Sequence, residues 1–420
     1  MPGTSRWRGA ALVHAVASNK VKISKLNERV RAVLDLINLT TKSNISENAS
    51  ESSLDRAEDR QLIRNVGAES IVLLKNVENI LPLKKSKRVA VIGPNSKIAA
   101  ISGGGSASLN PYYAVTPYDG IKAKASSGID FAQGIYGHLS LPALGKRLRT
   151  PGGSIGFSLK VYNESPECGE RRLLEERLLT ESNMFFIDYN HPELLPVWYA
   201  DAEGFFTPEE TGIYDFGVCV QGTARMYIDG ELIVSNFENQ KTGSSFLGAG
   251  TIEELGHKRM IAGTQYKILV QWGCAKTSKL KNPGVLDFGH GGLSFGGCRR
   301  LDHEESISEA VDLAKRTDQV VIIAGLSAEW ETEGQDRETM ELPPRTNELI
   351  TRVLQVNPNT VVVIQSGTPV LMPWIDQAKA VVHAWYGGNE TGNAIADVLY
   401  GDVNPVCLYF LESILGLFWG

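Results

Sequence analysis

Hydrophobic and polar positions follow two different periods along this chain. Residues 9–39 read as two helices. In the second, Leu26, Val30, Val33, Leu34 and Ile37 recur at helical spacing behind Ser24, a residue type that caps helix N-termini. Residues 41–59 are rich in Ser, Asn, Glu and Asp and read as a linker. A third helix is expected over about 57–75, with Leu62, Val66, Ile71 and Leu74 on one side. Short apolar runs then begin at 88–93 and return at 319–325, 360–369 and 380–388. Continuous runs of this kind suit strands buried on both faces. Amphipathic segments near 304–316 (Ile307, Ala310, Val311, Ala314) and 346–356 (Leu349, Ile350, Val353, Leu354) lie between them. Strands alternating with helices of this length predict βαβ units and a mostly parallel α/β sheet.

The middle of the chain, 142–298, is patterned differently. Its strand-like runs are rich in aromatic and β-branched residues and are separated by turns at Glu210-Thr211-Gly212, Asp229-Gly230 and Ala262-Gly263. Asp-Gly between Met226–Ile228 and Leu232–Val234 is a strong hairpin signal. The pattern predicts an antiparallel β-sandwich inserted into the α/β domain. That domain is therefore discontinuous, 60–141 with 299–405, and 406–420 forms an atypical apolar tail. Insertion is tolerated where the ends of the insert lie close together.

The chain has 420 residues, 42% hydrophobic and 21% charged, enough for a sizeable core. A net charge of −6 offers no footprint for nucleic acid or an anionic membrane, so neither is expected as a partner. No apolar run reaches the ~20 residues of a membrane span. Met1–Arg8 lacks the apolar centre of a signal peptide. Cys168, Cys219, Cys274, Cys298 and Cys407 form no C-x-x-C pair and read as buried thiols first, with a disulfide as the alternative. Sequons stand at Asn38, Asn44, Asn48, Asn163 and Asn389, a short motif that lends little weight to secretion.

Two segments could carry chemistry. The Gly-rich stretch 102–111 fails as a dinucleotide fingerprint, because Ser108 stands where a third Gly is needed and no Gly-Lys-Ser/Thr follows. It reads instead as a turn permitting close backbone approach to a ligand or another domain. No metal-binding motif occurs and no cofactor is expected. The acidic segment 328–346 follows directly after the strand at 319–325, and open α/β sheets bind ligands outside the carboxyl ends of their strands. It holds Glu329, Glu331, Glu333, Asp336, Glu338 and Glu341. It reads either as a solvated acidic loop or as a site. In the second case Trp330 could desolvate a neighbouring carboxylate and lift its pKa, and Gly334 would permit a tight loop.

Residues 68–83, 89–95, 103–121, 330–337, 364–370 and 384–405, in that order, resemble glycoside hydrolase family 3, in particular its fungal β-glucosidases. The middle sandwich looks like a protective-antigen-type domain. The resemblance implies a preceding (β/α)8 barrel whose carboxylate is the nucleophile, and an acid/base Glu immediately before a G-x-D-R segment. Here that position is Glu333, followed by Gly334, Gln335, Asp336 and Arg337. Retaining hydrolysis of terminal β-D-glucosyl residues of cellobiose and related β-glucosides is implied, with carboxyls ~5–5.5 Å apart.

On the same resemblance, 1–40 would be the end of the barrel, the nucleophile is absent, and this chain alone is expected to be inert. A β-glucoside or cello-oligosaccharide is the expected substrate, a homo-oligomer is conceivable, and the family leans towards secretion. Phe246 could stack on a second sugar or be local sandwich core, and Trp330 is a further candidate substrate contact. The alternative function is a carbohydrate-binding module without catalysis.

Overall fold

In this computed structural model, residues 8–43, 45–46, 48–50, 52–280 and 289–405 are described. The expected tail at 406–420 lies outside them. The chain divides into two units, residues 1–55 and 56–420. The first contains helices α1 (Ala10–Ala17) and α2 (Ile23–Thr40). Helix α2 begins one residue before Ser24, with Lys22 at the N-cap position, so Ser24 lies inside the first turn. Its apolar stripe, including Val30, Val33, Leu34 and Ile37, is exposed.

The second unit opens with α3 (Ala57–Ser70), shorter than the sequence suggests. Ile71 is already extended, and the chain continues as β1 (Val72–Asn76). Leu62 and Val66 do not face the core and are exposed. The inner face is set by Gly67 and Ala68, both buried. After β1 come β2 (Val89–Ile92), helix α4 (Pro117–Lys124, capped by the Thr116 side chain) and β3 (Ile129–Ala132).

Ten antiparallel strands follow: β4 (Phe157–Tyr162), β5 (Leu173–Leu179), β6 (Asn183–Phe185), β7 (Tyr199–Phe206), β8 (Gly212–Gln221), β9 (Thr223–Ile228), β10 (Glu231–Asn236), β11 (Glu254–Met260), β12 (Tyr266–Gly273) and β13 (Gly292–Arg299). They form two sheets, ordered β10-β9-β12-β7-β4-β5 and β11-β8-β13-β6. Alternating burial along β4 and β7 marks the inner face. Trp198, Trp272, Phe157, Phe216 and Phe295 are fully buried in one shared core. Asp229 and Gly230 both take positive φ, 52° and 82°, as a hairpin turn matched to strand twist requires.

The chain then resumes as α5 (His303–Lys315), β14 (Gln319–Gly325), α6 (Thr346–Val356), β15 (Thr360–Gln365), β16 (Ala380–His383) and α7 (Thr391–Leu399). The six-stranded sheet runs β1-β16-β15-β14-β2-β3. All neighbours are parallel except β1 with β16. Strands β2, β14 and β15 are buried along their whole lengths. One face carries α5 and α6 and the other α3, α4 and α7. Helix α3 packs on α7 through small residues, since a Cβ on Gly67 would lie 3.1 Å from that of Ala394. Asp397 of α7, 7% exposed at its side chain, receives Arg64 of α3 and Lys124 of α4, each at 2.5 Å.

Candidate active site

The carboxyl ends of the parallel strands lead into loops gathered at one edge of the sheet, where ligands of open α/β sheets bind. The loop after β14 carries the acidic segment. The Gly-rich stretch after β2 lies directly against it. A Cβ on Gly104 would stand 2.1 Å from the carbonyl oxygen of Ala328, and the Gly104 N–H donates to the carbonyl of Glu331 at 2.8 Å. The close approach is thus made within the same α/β domain, to the acidic loop, where the sequence suggests a ligand or another domain.

Three alternate glutamates of that loop take three different partners. Glu329 accepts from the N–H groups of Leu139 (2.9 Å) and Ser140 (3.4 Å). Glu331 accepts from the N–H of Gly367 (2.8 Å) and the hydroxyls of Thr368 and Tyr386. Burial pushes its carboxyl up, but these donors outweigh it and hold the group below the usual carboxylate range. In turn the Tyr386 hydroxyl is pushed well above its ordinary value, by burial first and then by Glu331. Glu333 accepts from the N–H of Ser106 at 2.8 Å and is otherwise exposed. Gly334, at φ 77°, makes the turn after it, and Thr332 bridges Gln335 across that turn. Arg337 closes the loop by donating to Thr368 Oγ1 (3.0 Å) and the Pro369 carbonyl (2.7 Å).

Among the carboxylates near Trp330, burial raises that of Glu329, whereas Glu333 is not desolvated. The Trp330 indole donates to the Gly137 carbonyl at 2.7 Å. The hydrogen bonds from Ser106 hold the Glu333 carboxyl below its usual range. In this chain Glu333 is thus a carboxylate at neutral pH, suited to accepting a proton and needing a nearby negative charge before it can donate one.

Phe246 is half-buried, with its ring 5.4 Å from that of Phe185 and directly over Gly292. It and Leu247 both take positive φ, 52° and 57°. Leu247 Cδ2 lies 3.7 Å from where a Cβ on Gly334 would be, so the sandwich loop touches the turn beside Glu333.

Sequence reasoning gave no role to Tyr386, to Glu331 or to Glu253, which accepts from the Leu141 N–H through both oxygens at 3.1 Å. The regular spacing of Glu329, Glu331 and Glu333 was visible, but their partners lie far off in sequence. Among the described residues Cys219, Cys274 and Cys298 are buried free thiols and Cys168 is an exposed one. No group of three or more His, Cys, Asp or Glu among the described residues is placed to hold a metal ion. No described helix is long and apolar enough to cross a membrane.

An α/β sheet domain carrying a pinned carboxylate loop at its strand ends, with an antiparallel sandwich inserted, is the class these observations define. The family model for the glycosyl hydrolase family 3 C-terminal domain matches residues 71–407, and the chain belongs to that family. A probable beta-glucosidase I from Aspergillus oryzae is 56% identical over 406 residues, 96% of this chain and 48% of its own length. The corresponding Aspergillus niger protein is 54% identical over 407 residues, 96% of this chain and 50% of its own. The crystal structure of a beta-glucosidase from Kluyveromyces marxianus in complex with glucose superposes with a TM-score of 0.86 at 42% identity, covering 97% of this chain and 49% of that one. The chain spans about half the length of the curated relatives it matches.

Proposed function

We propose that this chain is the acid/base-bearing half of a retaining β-glucosidase that releases glucose from the non-reducing ends of cellobiose and related β-glucosides, with cellulose breakdown as its setting. The observation that carries the reading is Glu333. It is an exposed carboxylate on a loop beyond a parallel strand, and the Ser106 amide fixes its direction without covering it. In the first step Glu333 protonates the departing glycosidic oxygen. In the second it takes a proton from water as the glycosyl intermediate is released. The ionised nucleophile, ~5–5.5 Å away, belongs to the preceding barrel implied by the resemblance, and its negative charge would raise Glu333 into the donating range. The family match and the relatives' names support this reading.

The test is Glu333→Gln in a protein carrying both halves. Turnover of substrates with poor leaving groups should fall about 10²–10⁴-fold, with recovery on adding azide. Wild-type rates in that variant would exclude Glu333. This chain alone should release no nitrophenol from nitrophenyl β-glucoside, because one carboxylate cannot both attack and protonate. Turnover abolished by Glu333→Ala would show that another carboxylate attacks.

Within this reading the sandwich is a protective-antigen-type insert that roofs the sugar site through the loop at 242–250. A second reading, sugar binding by the sandwich itself, draws on a cavity of about 350 Å³ lined by Tyr199, Arg225, Phe237 and Gln271. Aromatic faces beside amide and guanidinium donors suit a saccharide. A glycan-binding assay of this chain separates the two readings. For a secreted, glycosylated protein Asn163 would be a poor acceptor. Its amide nitrogen already donates to the Glu193 carbonyl at 3.0 Å, and its oxygen accepts from the Leu195 N–H at 2.9 Å.

A further inference from the structure

The segment that leads from the α/β sheet into the sandwich, residues 139–141, presents three consecutive N–H groups to carboxylates from two other parts of the chain. Glu329 of the acidic loop takes Leu139 and Ser140. Glu253, just before β11, takes Leu141 with both oxygens. Two glycines paired across β8 and β13, Gly217 and Gly296, clear the space. A Cβ on Gly217 would stand 2.2 Å from Glu253 Oε1, and one on Gly296 would stand 2.2 Å from the Leu141 carbonyl oxygen. The notch is thus shaped around the carboxylate and the segment together.

We infer that Glu253 and Glu329 form a proton-dependent clamp on residues 139–141, closed when the pair retains a proton and loosened when both are ionised. The clamp ties the sandwich to the loop that carries Glu333, and it operates whether or not that loop serves a glucosidase.

The surroundings of Glu253 support this. Burial, reinforced by the charge of Glu329, raises its carboxyl from an ordinary 4.5 to about 7, despite the Leu141 hydrogen bond. Glu329 is exposed as a residue, yet desolvation of its carboxyl also holds it above the ordinary range against its two N–H donors. The pair acts in turn on two buried thiols, Cys219 of β8, which feels both glutamates, and Cys298 of β13, which feels Glu253. Burial lifts these thiols to about 12 and about 11, so both stay neutral. His138, which lines the same cavity as Glu329, is held low by burial and then by His303, so it too is uncharged near pH 7. No cation acts on Glu253 among the described residues. At Glu253 the folded chain therefore keeps its proton across the window from 4.5 to about 7, where the unfolded chain has lost it. The clamp's contribution is fully present below that window and is lost as pH rises through about 7.

The test is amide hydrogen exchange of this chain, read on a peptide covering 136–142 and corrected for the intrinsic rate at each pH. Protection should fall by about tenfold or more between pH 5.5 and 8.5 while a β15 peptide holds steady. Glu253→Gln keeps an acceptor that cannot ionise, and its protection should be flat over the same range. Flat protection in the wild type, or an equal fall in Glu253→Gln, overturns the clamp. Should Glu253→Gln not fold, Glu329→Gln decides. Removing the charge that raises Glu253 should move the fall to lower pH, and an unmoved midpoint overturns the clamp.

Discussion

A Cβ on Gly105 would lie 2.4 Å from the Cβ of Glu333, closer than two such carbons can stand. Gly105 also sits at φ 71°, a conformation that side chains with a Cβ rarely adopt. Gly105→Ala should therefore cost about 1–3 kcal/mol in chemical denaturation. In a protein carrying both halves it should also lower turnover nearly as far as Glu333→Gln, because the loop must shift to make room. Unchanged stability and turnover would mean that the two loops separate at little cost.

Glu331 is expected to hold the loop through its donors. Its folded value is depressed, so its contribution to stability is present above the ordinary value of 4.5 and is lost as pH falls through the folded one. Thermal midpoints of the wild type and Glu331→Gln should differ most near pH 7 and converge in acid. A difference independent of pH would show that the loss is one of packing alone. Tyr386→Phe removes one donor, so the folded value of Glu331 moves towards 4.5 and the loss of midpoint in acid should be smaller than in the wild type, with its onset unchanged.

Asp397→Ala should destabilise the α/β domain by about 1–3 kcal/mol, since it leaves Arg64 without its paired carboxylate while Lys124 keeps Asp402 at 2.5 Å. Asp397→Asn should recover part of this by keeping an acceptor. An effect below about 1 kcal/mol in urea unfolding would place these ions in the surface class.

Phe246→Ala separates two roles for that ring. If it stacks on a second sugar, KM for disaccharides should rise more than KM for aryl glucosides in a protein carrying both halves. If it only packs on Phe185 and Gly292, both should change alike, and the sandwich alone should lose stability.

The parallel strands were legible because each is a continuous apolar run buried on both faces, as Val89–Ile92 and Thr360–Gln365 are. The hairpin at Asp229-Gly230 was legible because its turn chemistry is local. The inner face of α3 was not. Leu62 and Val66 look like core residues, but the partner surface on α7 accepts Gly67 against Ala394 and an ion pair to Asp397. Nothing near α3 in the sequence announces a neighbour more than 300 residues away, the separation of Arg64 and Asp397 being 333. The acidic loop shows the same limit. Its position after β14 could be read, whereas the lowering of the Glu333 carboxyl depends on the Ser106 side chain first and its amide second, which only the fold brings near.

The entry and exit of the sandwich are joined directly. The Gly297 N–H donates to the Pro142 carbonyl at 2.9 Å, and Ala143 bridges Gly296. This bears on the order of assembly. The six-stranded sheet must pair Val91 with Val321, a contact whose closure entropy grows with the length of free chain between them. A sandwich that folds first, around its own aromatic core, delivers residues 142 and 297 side by side and removes most of that length from the search. The insert would then act as an internal folding aid for its host, and mutations in the core around Trp198 and Trp272 should slow formation of the parallel sheet without touching it.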